Sequence, residues 1–205
     1  MVDMTLTRRR QRPSETVTLF DTVPLPLGRV HEFCGTARRT LAAMTAGHMA
    51  GPVFWIMRAW DNDKLNPQGL MRFAGPGRFT YLNPTRPEDL LWCMEECLRS
   101  GQVPLVVVDL PGPPALTPVR RLHLAAEQGA KASKDGLLPL GLVLTPGAGG
   151  APGVETRWQL NTCHTPQAVA WRLERLRART APQKAWEMTL TSGRPTLTHA
   201  SVSAI

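Results

Sequence analysis

The chain has 205 residues, of which 42% are hydrophobic and 20% are charged. This composition excludes a disordered or fibrous chain, and the length suffices for one folded domain with its own core. The 24 Lys and Arg residues against 16 Asp and Glu residues give a formal net charge of +8, which favours an acidic partner: nucleic acid, an anionic membrane surface or an acidic protein.

The apolar runs of the sequence are short. The runs at 105–108 and 137–144 fall far below the roughly 20 residues that cross a bilayer, so the sequence predicts no membrane-spanning helix. No apolar segment follows the N-terminal arginines, as a secretory signal would require, and we expect a cytoplasmic protein without a membrane partner. The four cysteines form no CxxC pair and are predicted to be reduced thiols.

The character of the chain changes near residue 27. Residues 1–26 are basic and punctuated by prolines, which predicts an N-terminal arm outside the packed core. The segment 28–35 alternates apolar and polar residues between two glycines and is typical of a strand. The alanine-rich segment 36–50 predicts a helix, and the β-branched and aromatic run 52–57 predicts a buried strand.

The middle of the chain continues this alternation of strand and helix. Residues 78–82 predict a short strand. Thr85 and Glu88 then have the spacing of a capping box, at the start of a helix that Gly101 ends. The nearly continuous apolar run 103–109 predicts an interior parallel strand.

A further helix and several extended segments follow. Thr117 and Pro118 are a typical N-cap and first-turn pair, and residues 137–145 predict another buried strand. The glycine-rich segment 146–153 is expected to be a flexible surface loop. Extended segments are predicted at 156–163, 170–179 and 186–191.

Strands that alternate with helices predict a layered α/β domain, in which right-handed crossovers join a mainly parallel sheet. We expect this core domain to span residues 27–191 and a flexible C-terminal tail to span residues 192–205. In such sheets, ligands bind at the carboxyl ends of the strands.

The carboxyl end of the first core strand is where a phosphate-binding loop would lie. Such a loop needs the pattern GxxxxGK[ST], whose backbone N–H groups, lysine and hydroxyl hold phosphate and magnesium. Here Gly35, Arg38, Arg39 and Thr40 remain, but the second glycine and the lysine are missing. Asp109, which ends its own apolar strand, has the position of a magnesium-linked carboxylate. These five residues form a degenerate nucleotide site, for which a structural turn, weak anion binding and nucleotide hydrolysis all stay open.

Several segments, in this order, resemble the RecA ATPase core and more closely the ImuA family of RecA-like proteins from bacterial SOS mutagenesis cassettes. GRVHEFCG at 28–35 is similar to the strand that enters the RecA phosphate loop, and LVVVD at 105–109 is similar to its Walker B strand. Other matching segments are ALTP at 115–118, RLRARTAP at 175–182 and, more like ImuA, LNPQGL at 65–70, LWCMEECLR at 91–99, RRLHLAAE at 120–127 and TRW at 156–158.

The resemblance implies a RecA-like three-layer α/β fold with a mainly parallel central sheet and a degenerate phosphate loop. It also implies a non-catalytic accessory protein of translesion DNA synthesis. The phosphate-loop lysine of RecA has no counterpart here, and no glutamate stands at 58–61, where its catalytic glutamate is expected.

The partners that the resemblance implies are an ImuB-like relative of the Y-family polymerases, an error-prone DNA polymerase, RecA, and DNA that is bound weakly or non-specifically. No cofactor is implied. Two alternatives stay open: a division inhibitor similar to SulA, which binds FtsZ, and a DNA-binding RecA-like ATPase with residual nucleotide binding.

Positive charge is concentrated towards the carboxyl terminus. Residues 157–205 hold seven basic residues and two acidic ones. In a strand, Arg175, Arg177 and Arg179 would project from one face towards a phosphate backbone. A solvated strand face and an acidic protein partner are the other interpretations of this row. The full set of predicted DNA contacts is Arg172, Arg175, Arg177, Arg179 and Lys184.

Overall fold

Strands and helices alternate along the chain in the computed structural model, which describes residues 15–61, 63–179, 181–191 and 194–200. The helices are α1 (Arg38–Gly47), α2 (Pro67–Leu70), α3 (Asp89–Ser100) and α4 (Leu116–Ala132). The strands are β1 (Thr16–Leu19), β2 (Val23–Pro26), β3 (Val30–Cys34), β4 (Val53–Ile56), β5 (Phe79–Leu82), β6 (Leu105–Asp109), β7 (Leu140–Leu144), β8 (Thr156–Thr162), β9 (Ala170–Ala178), β10 (Lys184–Thr191) and β11 (Arg194–Ala200).

Nine of the strands form one mixed sheet, in the order β11-β10-β9-β8-β3-β7-β6-β4-β5. The strands from β8 to β5 pair in parallel, whereas β9, β10 and β11 extend the sheet as antiparallel strands. The predicted α/β class and the mostly parallel sheet are confirmed. Helix α1 leads from β3 past β7 and β6 to β4, while β8 lies on the other side of β3. The strands that follow β3 in the chain therefore lie on both sides of it. In open sheets, ligands bind at the carboxyl ends of strands where the strand order reverses in this way.

Packed elements cover both faces of the sheet, an arrangement compatible with three layers. Phe33, Trp55 and Leu142 belong to the core on the side of α1. Val30 and Val106 belong to the core on the side of α3 and α4. Because the central strands are buried on both faces, they carry continuous apolar runs instead of an alternating pattern.

Helices α3 and α4 meet at a close crossing. Gly101 ends α3 in a left-handed conformation (φ +64°), as the sequence predicts. A Cβ atom on Gly129 of α4 would lie 2.0 Å from the carbonyl oxygen of Leu98. The crossing therefore requires glycine at position 129.

The starts of these two helices differ from the sequence prediction. Helix α3 begins directly after Glu88, and no side chain caps it, so Thr85 and Glu88 form no capping box. Helix α4 begins at Leu116 with Ala115 before it, which places Thr117 inside the first turn. Pro118 lies in the first turn of α4, where proline is tolerated because the N–H that it lacks would have no partner within the helix.

Residues 16–26 differ from the predicted arm, because they form the antiparallel hairpin β1–β2. Leu19, Val23 and Leu25 are fully buried in the core on the side of α1. Pro24 and Pro26, which suggested an irregular arm, lie in β2, and hairpin strands outside the main sheet tolerate proline. Residues 1–14 of the predicted arm lie outside the described residues.

The sheet also continues beyond residue 191, where the core was predicted to end. Strand β11 pairs with β10 from Thr191 opposite Arg194 to Ala185 opposite Ala200. Residues 194–200 of the predicted tail are therefore part of the sheet, and residues 201–205 lie outside the described residues.

Candidate functional site

The turn from β3 to α1 is closed by contacts with β8. Gly35 has a φ of +91°, and a Cβ atom there would lie 2.4 Å from the carbonyl oxygen of Leu160. The backbone N–H of Thr36 donates to Oδ1 of Asn161 (3.1 Å), and that of Ala37 donates to the Leu160 carbonyl (2.9 Å). A phosphate loop needs such N–H groups free for the ligand. Here the protein itself accepts these two hydrogen bonds.

Asp109 lies at the end of β6, next to the start of α1, and is 5% exposed. Both Nε and Nη2 of Arg38 donate to its Oδ1 at 3.4 Å, and Nε of Arg39 donates to its Oδ2. The structure therefore brings together four of the five predicted nucleotide-site residues, Gly35, Arg38, Arg39 and Asp109. They contact one another as partners within the protein.

The guanidinium of Arg39 has further partners. It donates to the backbone carbonyl of Asp63 (2.7 Å) and to the carboxylate of the same residue, and its Nη2 lies 3.6 Å from Asp61. Burial opposes the charged form of Arg39, but attraction and hydrogen bonding to Asp109 outweigh it, so the pKa of Arg39 is raised. Arg39 therefore stays charged and paired with Asp61, Asp63 and Asp109.

The charges around this network balance. Arg58 donates to Asp61 (3.0 Å), so three arginines and three aspartates share the ion pairs. An anion at the start of α1 would have to displace carboxylates that already hold these arginines.

A cleft of about 530 Å³ opens beside this network. Thr40, the fifth predicted nucleotide-site residue, lines it together with Arg39 and Arg72. The apolar part of its lining includes Phe73 and Trp171. Thr40 thus faces this cleft, whereas Gly35 is not among the residues that line it.

The predicted arginine row does not share one face of the sheet. Arg175 lines a cavity with Asp21 and Thr22 of the hairpin, whereas Arg179 lines a cavity with residues of α4, on the opposite face. The pairing between β8 and β9 shifts register at Arg157 and Trp158. Such an irregularity changes the alternation of the side chains.

Several of the predicted DNA contacts are held by the protein. The Arg175 guanidinium lies 5.6 Å from the ring centres of both Trp158 and Trp186, and its Nε donates to the Pro182 carbonyl. The ammonium of Lys184 lies 5.3 Å from the Trp186 ring. Such contacts stabilise cations against aromatic faces.

The remaining three arginines of the set differ in their exposure to solvent. Arg172 is paired with Glu174 (3.2 Å). The side chain of Arg179 is 67% exposed and lies 3.6 Å from Glu155. Arg177 is exposed. Arg177 and Arg179 are therefore the most accessible of the predicted DNA contacts.

Sequence reasoning missed Glu32, a fully buried carboxylate in β3. Its oxygens accept hydrogen bonds from Thr145 (2.7 Å), from the backbone N–H groups of Gly150 (2.8 Å) and Ala151 (3.0 Å), and from Arg157. These bonds hold Gly150 and Ala151 of the glycine-rich segment 146–153 against the sheet, while residues 146–148 lie exposed at the surface. An acidic residue in an interior parallel strand was the available signal, since a buried charge needs partners.

His31, also in β3, is a second buried polar residue. Its Nδ1 lies 2.8 Å from the Thr156 hydroxyl and its Nε2 lies 3.0 Å from the Pro26 carbonyl. Since a carbonyl only accepts, Nε2 carries the proton and Nδ1 accepts from Thr156. Burial lowers the pKa of His31 to about 4, so the ring is neutral.

Neither a protein-family model nor a curated protein sequence matches this chain. Within the part of the chain that the structure describes, no helix combines the length and the apolar character that a bilayer crossing requires.

Proposed function

We propose that the chain is a non-catalytic, RecA-like accessory component of a bacterial SOS mutasome. It would support error-prone translesion synthesis together with an ImuB-like polymerase relative and an error-prone DNA polymerase. The observation that carries the non-catalytic part is the network of Arg38, Arg39 and Asp109, which occupies the start of α1 with intramolecular ion pairs.

The RecA-like part is supported by the placement of the two segments that resemble nucleotide-binding strands. GRVHEFCG contributes β3 and LVVVD contributes β6, and one strand, β7, separates them. Asp109 at the end of β6 thereby reaches the arginines at the start of α1. The mostly parallel sheet with helices on both faces fits the same proposal.

A protein of this kind acts through surfaces. DNA contact in this proposal is weak or non-specific and depends on Arg177 and Arg179, because these two side chains are the most exposed of the set. Replacing both Arg177 and Arg179 with Ser should weaken DNA binding and flatten its salt dependence, which reports the number of phosphates neutralised. An unchanged salt slope would reject this DNA contact.

The mutasome proposal is tested in the organism that carries the gene. Deletion of the gene should lower the mutation frequency induced by DNA damage. The tagged protein should copurify with the ImuB-like protein after damage. An undiminished mutation frequency, or binding to FtsZ accompanied by filamentous cells, would contradict the proposal and favour a division inhibitor.

A further inference from the structure

The outer face of α4 borders a cavity of about 430 Å³, a volume within the range of ligand pockets. The cavity lies on the opposite face of the sheet from the cleft that Arg39 and Thr40 line. Three arginines line it: Arg29 before β3, Arg120 on α4 and Arg179 after β9. Within the described residues, its lining contains no acidic side chain.

The three arginines differ in how far they are neutralised. Arg29 is paired with Glu127, and Arg179 lies 3.6 Å from Glu155. Arg120 is exposed and forms no ion pair with any residue that the structure describes. The cavity therefore presents at least one uncompensated cation, in a protein whose formal net charge is +8.

Two leucines give the cavity an apolar side. Leu116 and Leu124 both lie on α4 and line the cavity, and Leu124 is 58% exposed. The core-facing side of the same helix is formed by other residues, among them Leu122 and Ala125. Leu124 thus leaves apolar surface in water next to the arginines.

His123 also lines the cavity. Its Nε2 lies 3.1 Å from the Gly153 carbonyl, so Nε2 carries the proton. Its Nδ1 is buried and has no hydrogen-bond partner among the described residues. Burial is the main cause that lowers the pKa of this ring, which favours its neutral form.

We propose that this cavity docks a short acidic segment of another protein that carries a large apolar side chain. The carboxylates would pair with Arg120 and its neighbouring arginines, and the apolar side chain would cover Leu116 and Leu124. This inference goes beyond the proposed function, because it assigns a site and a ligand chemistry that the mutasome proposal does not specify.

A peptide fits these features better than a nucleic acid does. A phosphate backbone offers no apolar group to the two leucines, and single-stranded nucleic acid is usually held by aromatic rings on which the bases stack. The exposed tryptophans Trp60 and Trp92 are absent from the lining of this cavity.

The proposal is tested by selecting a phage-displayed library of random peptides against the full chain. We expect enrichment of peptides that combine Asp or Glu with Leu, Ile, Phe or Trp. Leu124→Ser and Arg120→Ser should each weaken the selected peptides by about tenfold, as truncation of interface anchors commonly does. Both residues are exposed, so these variants should fold, and thermal melting checks that they do.

Matched controls are available at exposed positions outside this cavity. Met71→Ser removes a similar apolar side chain, and Arg86→Ser removes the same charge; neither should change the affinity of the selected peptides. Absence of enriched acidic-apolar peptides, or peptides equally insensitive to all four substitutions, would overturn the proposal.

An oligonucleotide of 20 thymidines provides the competing arm. If Leu124→Ser and Arg120→Ser weaken this oligonucleotide and leave the selected peptides unaffected, the cavity binds nucleic acid and the proposal fails. Copurification with the ImuB-like protein is a separate readout, so failure of the peptide site and failure of the mutasome proposal are distinguishable.

Discussion

His31 is neutral because both ring nitrogens are committed inside the sheet, one as a donor to Pro26 and one as an acceptor from Thr156. The Thr156 hydroxyl in turn accepts from the indole N–H of Trp158 (2.9 Å). A proton on Nδ1 would face this hydroxyl at the point where the ring now accepts, and burial would leave the charge poorly solvated.

This arrangement predicts that acid destabilises the protein through His31. The pKa is about 6.5 in the unfolded chain and about 4 in the fold, so the contribution is complete above pH 6.5 and is lost as pH falls towards 4. The loss amounts to about 3 kcal/mol of unfolding free energy. Urea unfolding of the wild type between pH 7 and pH 4 measures it.

His31→Gln is the comparison for this measurement, since its amide can still donate to the Pro26 carbonyl. The variant should show a flatter dependence of unfolding free energy on pH. The pKa of His123 is also lowered by burial, and its contribution is common to both proteins. Parallel pH profiles would show that His31 does not titrate as described.

A second prediction at this scale concerns Asp109. Asp109→Asn removes the carboxylate that holds Arg38 and Arg39, while Asp61 and Asp63 remain near Arg39. Breaking a buried pair from one side costs roughly 3–5 kcal/mol, and we expect about 3 kcal/mol here. Chemical denaturation measures this loss.

Asp135→Asn, at an exposed position, is the control for Asp109→Asn and should change the unfolding free energy little. If both substitutions have the same small effect, the ion-pair network does not stabilise the fold.

The polar residues at the start of α1 were predicted in part from the sequence. Gly35, Arg38, Arg39 and Asp109 were grouped because a known loop pattern placed them together, and the structure brings them into contact. That the N–H groups of the turn are already bonded was not predictable, because their acceptors on Leu160 and Asn161 lie about 125 residues away in sequence.

At the scale of elements, the crossing of α3 and α4 predicts a large effect of one methyl group. Gly129→Ala would favour the isolated helix by about 1 kcal/mol, but its Cβ would lie 2.0 Å from the Leu98 carbonyl oxygen. We expect a net destabilisation of about 1–3 kcal/mol as the helices separate. Denaturant unfolding measures the change.

Gly75→Ala is the matched control for the crossing, since no atom lies within 4 Å of a Cβ atom built there. It should leave the unfolding free energy nearly unchanged. A neutral or stabilising effect of Gly129→Ala would mean that the helices are not held at this distance.

The hairpin β1–β2 yields the fourth prediction. Leu25 is fully buried in the core. Leu25→Ala should therefore lower the free energy of unfolding by about 3 kcal/mol, within the range for buried leucines. Thr18→Ala, on the exposed side of the same hairpin, should cost far less. Equal effects in thermal unfolding would show that the hairpin does not contribute to the core.

The elements themselves were largely predictable from the sequence. Continuous apolar runs indicated β6 and β7, and Gly101 indicated the end of α3, because each feature reflects local backbone and burial preferences. The hairpin was missed because its prolines dominate a local interpretation. Its role depends on α1 and the sheet, which cover Leu19 and Leu25 from a distance in sequence.

At the scale of the whole molecule, the closed turn predicts how the protein responds to nucleotide. A ligand that binds only the folded state raises the melting temperature by mass action. The N–H groups and arginines of the turn already have partners within the protein, so ATP with magnesium should leave the melting temperature unchanged. A RecA-type ATPase measured alongside should be stabilised. A nucleotide-dependent rise in the melting temperature of this chain would contradict the non-catalytic proposal.

Arg39 has a consequence for the protein in its cell. If a bound metabolite supplied the charges that neutralise these side chains, the stability of the fold would rise and fall with the concentration of that metabolite. Here the guanidinium is covalently part of the chain and its three carboxylate neighbours are too. The ion pairs at this position therefore contribute to folding without any bound metabolite, whatever the supply of metabolites in the cell.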